Sequence, residues 1–132
     1  MRLSTEASRD EARALEVIGA AIDAGVEVFD TARSYALDER DLGHNERLLA
    51  RALTSRPAVA ARVITKCGMR RDGGAWMPDG RARAIEEDAT ASVEALAGVP
   101  IDVLLLHAPD PRVSFATSVR SLARVHADGM AR

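Results

Sequence analysis

Apolar positions along this chain recur with two periods, one helical and one strand-like, and the two alternate from end to end. Between Ser8 and Gly25, Leu15, Ile18 and Ile22 fall at helical spacing among small alanines, which predicts a helix with one buried face. Ser8 with Glu11 three positions on reads as a capping box, and Gly25 as the stop. Val26-Glu27-Val28-Phe29-Asp30 is too short for a helix and β-branched enough for a strand. A polar loop follows, then a short helix from about Asn45 to Leu53 that buries Leu48, Leu49 and Ala52. Val63-Ile64-Thr65-Lys66, preceded by Pro57 and ended by Gly68, is the next strand. A glycine-rich loop carrying Trp76 leads to a helix from about Arg81 to Leu96, with Ile85, Ala89, Val93 and Leu96 on one side. Ile101 to Leu106 is the clearest strand, interrupted only by Asp102 and closed by His107. A last helix, from about Ser114 to His126, is expected to bury Phe115, Val119 and Leu122 and to stop at Asp128-Gly129.

Strands alternating with helices, each strand nearly continuously apolar and so expected to be buried on both faces, predict a parallel sheet of βα units. Met1 to Thr5 reads as the remains of a first strand, which makes four units. A doubly wound sheet and a (β/α)8 barrel both fit that pattern. The glycine-rich turn that a dinucleotide-binding Rossmann unit places after its first strand is absent.

Composition narrows the function classes. The 132 residues are 47% hydrophobic and 29% charged with a formal net charge of -2, which suits one partial or whole globular domain over 1–132 and gives no electrostatic footprint for nucleic acid or an anionic membrane. Single Cys67 can form no intrachain disulfide, and the start lacks the features of a secretory leader, so the expected location is cytoplasmic. Cys67, His44 and Asp30 show no recognised metal spacing, and no metal is expected. His126 reads as a charge at a helix C-terminus.

One tyrosine and one lysine stand out. Of the 18 basic residues, only Lys66 is lysine, and Tyr35 is the single tyrosine. Arginine cannot deprotonate, whereas a lysine ammonium is a compact charge that responds to its surroundings, so its use here points to proton chemistry. Strand parity adds to this: Asp30 shares a face with Val28 and Val26, Lys66 with Ile64, and His107 with Leu105, Val103 and Ile101. Each of three strands thus presents an apolar file closed by one titratable group at its C-terminal end, the catalytic face of a β/α barrel.

Phe29-Asp30-Thr31-Ala32-x-x-Tyr35, then Gly43-His44-Asn45-Glu46, then Ile64-Thr65-Lys66-x-Gly68, then Ile101-Asp102-Val103-Leu104-Leu105-Leu106-His107 together resemble the aldo-keto reductases. The resemblance runs from Met1 to Arg132 and implies half of a (β/α)8 barrel, with Asp30, Tyr35, Lys66 and His107 as the catalytic tetrad. It implies reduction of aldehydes and ketones by hydride from NADP(H), with NAD(H) as the alternative, and Tyr35 as general acid. It also implies Asp30 at the cofactor, and His107 and Trp76 at a small-molecule carbonyl substrate. Asn45 and Glu46 match the family's pattern and read as helix-start residues.

The chemistry agrees with that set. An ordinary tyrosine, near pKa ~10, is a poor proton donor at neutral pH. A lysine ammonium about 4 Å away, at an effective dielectric near 20, favours the tyrosinate by about 4 kcal/mol. Lys66 needs a counter-ion to stay charged, and Asp30 is available; His107 would donate a hydrogen bond to the carbonyl oxygen. A full barrel needs about 250 residues, so the expectation is a truncated barrel whose bare strand edges invite self-association. The alternatives are a non-catalytic binding or assembly module and a metal-dependent barrel hydrolase.

Overall fold

A computed structural model describes residues 3–56 and 60–132. Three parallel strands, β1 (Val28–Asp30), β2 (Arg62–Cys67) and β5 (Val103–Leu106), form one sheet in the order β1-β2-β5. The helices α2 (His44–Thr54) and α3 (Ala82–Leu96) lie in the two connections, while α1 (Glu11–Asp23) precedes β1 and α4 (Phe115–Ala127) follows β5. Asp30 pairs in register with Ile64, and Lys66 with Leu105. The architecture is therefore the parallel α/β arrangement expected. No helix among the described residues is long and apolar enough to cross a membrane.

Several expectations need correction. Residues 3–5 form bends rather than a strand, so three parallel strands stand among the described residues; Met1, Arg2 and Pro57 lie outside them. Asp10, not Ser8, caps α1, its Oδ1 accepting the Arg13 N–H at 3.0 Å. Glu11 instead reaches sideways to α2, accepting from Arg51 Nη1 at 2.8 Å and meeting His44 Nε2 at 3.1 Å. The helix stops where expected, with Gly25 at φ +86°.

The sheet is covered on one face only. Val63, Thr65 and Cys67 point toward the helices and are almost wholly buried, and Ala14, Ile18, Leu48, Leu49, Leu53, Leu96 and Ile101 complete the larger core. On the opposite face Val28 and Leu105 are 53% and 42% exposed, and Val26 and Val103 join them. In a closed barrel that face meets side chains from the far wall, which is why its strands read as fully buried in the sequence. A similar error affects α4: Phe115 and Val119 lie exposed, and Val93 of α3 with them. The packing between α3 and α4 centres on Ile85, Ala89 and Val125 with Leu122 against them, and Ser118 and Ser121 are also buried, Ser118 Oγ donating to the Gly80 carbonyl just before α3 at 2.8 Å. Serine on a helix face reads as polar in a hydropathy pattern, although its size permits close packing.

Trp76 is not in a loop. Residues Met69–Asp72 and Ala75–Pro78 form an antiparallel hairpin, β3 and β4, in which Arg71 pairs with Trp76. Gly73 and Gly74 both have positive φ, +52° and +85°, as a two-residue hairpin turn requires. Asp72-Gly73-Gly74 is the sequence signal for it.

Candidate active site

The parallel register carries Asp30, Lys66 and His107 to one edge of the sheet, because Asp30 ends β1, Lys66 stands one residue before the end of β2 and His107 follows β5, and each has the parity of the uncovered face. The ladder continues past β5, where the His107 N–H donates to the Cys67 carbonyl at 2.9 Å, fixing the histidine beside the lysine strand. Lys66 Nζ lies 2.5 Å from Asp30 Oδ1 and donates to the Thr31 carbonyl at 2.8 Å. Its side chain is only 13% exposed, against 53% for Asp30, so the pair carries a sheltered cation to a carboxylate open to the rim. Nζ sits 5.0 Å from the centroid of the Tyr35 ring.

Tyr35 arrives from a loop that folds back over the rim. Its ring stands edge-on to His107 with centroids 5.7 Å apart, and edge-on to Trp76 at 6.2 Å. Trp76 and His107 are 5.8 Å apart, so the hairpin supplies the third wall of one small aromatic cluster. All four tetrad candidates and Trp76 therefore converge. Burial, and next the Lys66 charge, hold the His107 imidazole below its ordinary pKa, so the ring is neutral near pH 7. Its Nδ1 meets Ser34 Oγ at 3.1 Å.

A second layer of residues, not singled out in the sequence beyond Asn45 and Glu46, holds these groups in place. Thr31 Oγ1 donates to Asn45 Oδ1 at 2.8 Å, and Asn45 Nδ2 donates to Ser4 Oγ at 2.9 Å. Glu46 is wholly buried and accepts from Thr65 Oγ1 at 2.6 Å; burial raises its carboxyl above the usual range. Asn45 and Glu46 do lie in the first turn of α2, yet both brace the strand ends more than the helix. Asp88 of α3 accepts from Arg33 Nε at 2.9 Å and from the Gly68 N–H at 2.8 Å. It thereby ties the Tyr35 loop, two residues before the tyrosine, to the turn two residues after Lys66. Burial pushes Asp88 up, against the Gly68 hydrogen bond and the Arg33 charge. The Cys67 thiol, facing the helices, is pushed up to about 12 by burial, with Asp88 adding to it. It is inert as a nucleophile at neutral pH. His126, in the last turn of α4, reaches the Ala131 carbonyl at 3.1 Å, away from the rim.

The arrangement offers a sheltered ammonium, a phenol, a neutral imidazole and an aromatic wall around one point. Comparison with known proteins gives it a context. The sequence profile of the Aldo/keto reductase family matches residues 1–132. A glycerol dehydrogenase from Gluconobacter oxydans superposes on 99% of this chain with a TM-score of 0.83 and 29% identity, over 40% of its own length. An aldo-keto reductase from Bacillus halodurans, in its holo form, superposes on 99% with a TM-score of 0.80 and 25% identity, over 41% of its length. The chain thus spans about two fifths of these relatives. No curated protein sequence matches it.

Proposed function

The chain belongs to the aldo/keto reductase family, and from that premise we propose that its rim serves the reduction of an aldehyde or ketone to an alcohol, with NADP or NAD as the coenzyme. The observation that carries this reading is the sheltered Lys66 ammonium, held by Asp30 and the Thr31 carbonyl and 5.0 Å from the Tyr35 ring. The coenzyme, when bound, would supply hydride to the carbonyl carbon. Asp30 and Tyr35 would meet its reactive end, and both open onto a mostly apolar hollow of about 460 Å³ between α1 and the edge of β1, in which Asn45 is the other polar residue.

The protein's own residues supply the rest. The oxygen of a carbonyl under hydride attack gains negative charge and takes the Tyr35 hydroxyl proton. The Lys66 ammonium stabilises the phenolate left behind, and Asp30 offsets the cost of keeping that ammonium charged out of water. In the tautomer where Ser34 Oγ donates to Nδ1, His107 carries its proton on Nε2 and keeps it while donating a hydrogen bond to the same oxygen, orienting the substrate. Trp76 closes the wall opposite.

Tyr35→Phe tests the assignment, because it deletes the proton donor and little else. NADPH oxidation with an aldehyde should fall by about 10³-fold or more while coenzyme affinity stays nearly unchanged, as expected for a group acting in the transition state. Undiminished turnover would discard Tyr35 as the acid. The uncovered sheet face favours a second reading, a binding or assembly module that retained the family's sequence. Coenzyme binding with no turnover in the unaltered chain would support it.

A further inference from the structure

Among the described residues, Arg71 stands out near this site as a buried cation with no carboxylate partner. It is 8% exposed, yet Nε and Nη1 are buried without a hydrogen-bond partner, and among the described residues no carboxylate pairs with it. Its contacts are both neutral: Nη2 donates to the Leu37 carbonyl at 2.9 Å, and Cζ stacks 3.9 Å from the centre of the Trp76 ring. Its sequence neighbour behaves otherwise, since Arg70 pairs with Asp79 at 2.9 Å. A guanidinium is charged at any working pH, and a buried charge with unused donors is costly unless something answers it.

The charge balance of the rim points the same way. Lys66 is cancelled by Asp30, and His107 is neutral near pH 7. Arg71 then stands, with no carboxylate in direct contact among the described residues, one aromatic ring away from the point on which Tyr35 and His107 converge. The 3.9 Å and 5.8 Å contacts through Trp76 put the guanidinium within roughly 10 Å of the His107 ring, close enough at an effective dielectric near 20 for about a tenfold preference between an anion and its neutral counterpart.

We infer that the carbonyl compound this site takes carries a negatively charged group, a carboxylate or a phosphate, and that Arg71, through its charge and its stack on Trp76, is the residue that selects it. The inference rests on the carbonyl-reductase reading of the rim but is read by binding rather than turnover. Trp76 is the single tryptophan of the sequence, so its fluorescence reports the site directly. The chain is titrated at low salt with 4-oxobutanoate against butanal, and with glyceraldehyde 3-phosphate against glyceraldehyde.

At least one anion should bind about tenfold more tightly than its neutral partner, and the pair that shows it identifies carboxylate or phosphate as the group recognised. Arg71→Met and Arg71→Gln should bring that ratio close to one, whereas Arg71→Lys, which keeps the charge and loses the planar stack, should keep much of it. Equal binding within both pairs, no binding in either, or a preference that persists in a folded Arg71→Met or Arg71→Gln chain overturns the inference. Discrimination without any reduction would instead remove the carbonyl-reductase reading and leave an anion site, while reduction without discrimination would do the reverse.

Discussion

Replacing Arg33 by leucine isolates the brace between the two loops of the rim. In the folded chain Asp88 is buried and holds two partners, Arg33 Nε at 2.9 Å and the Gly68 N–H at 2.8 Å. Arg33→Leu leaves the carboxylate with the second alone. Removing one member of a buried ion pair costs about 3–5 kcal/mol. The side chains here are 22% and 13% exposed, so solvent screens part of the loss and about 3 kcal/mol is expected at pH 7. The cost should depend on pH in a definite sense. Burial already raises the Asp88 carboxyl above its ordinary 3.8, and losing the Arg33 charge raises it further. A carboxyl raised on folding binds its proton more readily folded than unfolded, so it penalises the folded state above the raised value and ceases to do so below the ordinary one. Urea unfolding of both chains from pH 7.5 to pH 4 should show the difference shrinking to about 1 kcal/mol as the acid is neutralised. In an Asp88→Asn background Arg33→Leu should cost little at any pH. A cost that is the same at both ends of that range, or the same in the Asn background, would refute the argument.

Two further substitutions probe the lysine and the turn beside it. Lys66→Met keeps the stem and removes a charge that stands 5.0 Å from the centre of the Tyr35 ring; an ammonium at about that range from a phenolate is worth about 3 kcal/mol at an effective dielectric near 20, so aldehyde reduction should fall about 10²-fold, while the melting temperature moves little because Asp30 is open to water. Reduction at an unaltered rate would leave Lys66 a packing role only. Gly68 has φ +76°, and a Cβ there would stand 2.8 Å from Leu106 Cδ1, so Gly68→Ala should cost about 2 kcal/mol or more in urea unfolding; a neutral result would show that the turn relaxes freely.

Periodicity made the helices and parallel strands legible because both repeats are set by backbone geometry, and parity did the same for Asp30, Lys66 and His107. What periodicity cannot express is which apolar face is covered. Val28 and Leu105 satisfy the same pattern as Val63, and only the placement of all four helices on one side distinguishes them. The bracing residues were hidden for another reason. Arg33, Asp88 and Thr65 are ordinary surface-type residues in sequence, and their roles come from contacts across 19 to 55 positions of chain. The hairpin was legible in Asp72-Gly73-Gly74, a turn signature outweighed by the surrounding glycine content. Arg71 gave no sign at all, since a charged residue beside another arginine reads as solvent-facing.

The lone thiol lies at a telling place in this fold. Cys67 Sγ faces the Leu105 carbonyl across the seam between β2 and β5, at 3.6 Å, and the residue is 1% exposed. The sulfur packs under the helix layer with Ile85, Ala89 and Val125, so a thiol reagent added to the resting protein can reach it only in the moments when α3 and α4 lift from the sheet, and only the rare thiolate then reacts. The rate of its modification is therefore a clock for one local event: how often the helix layer leaves the face of the sheet whose other side carries the ammonium and the imidazole.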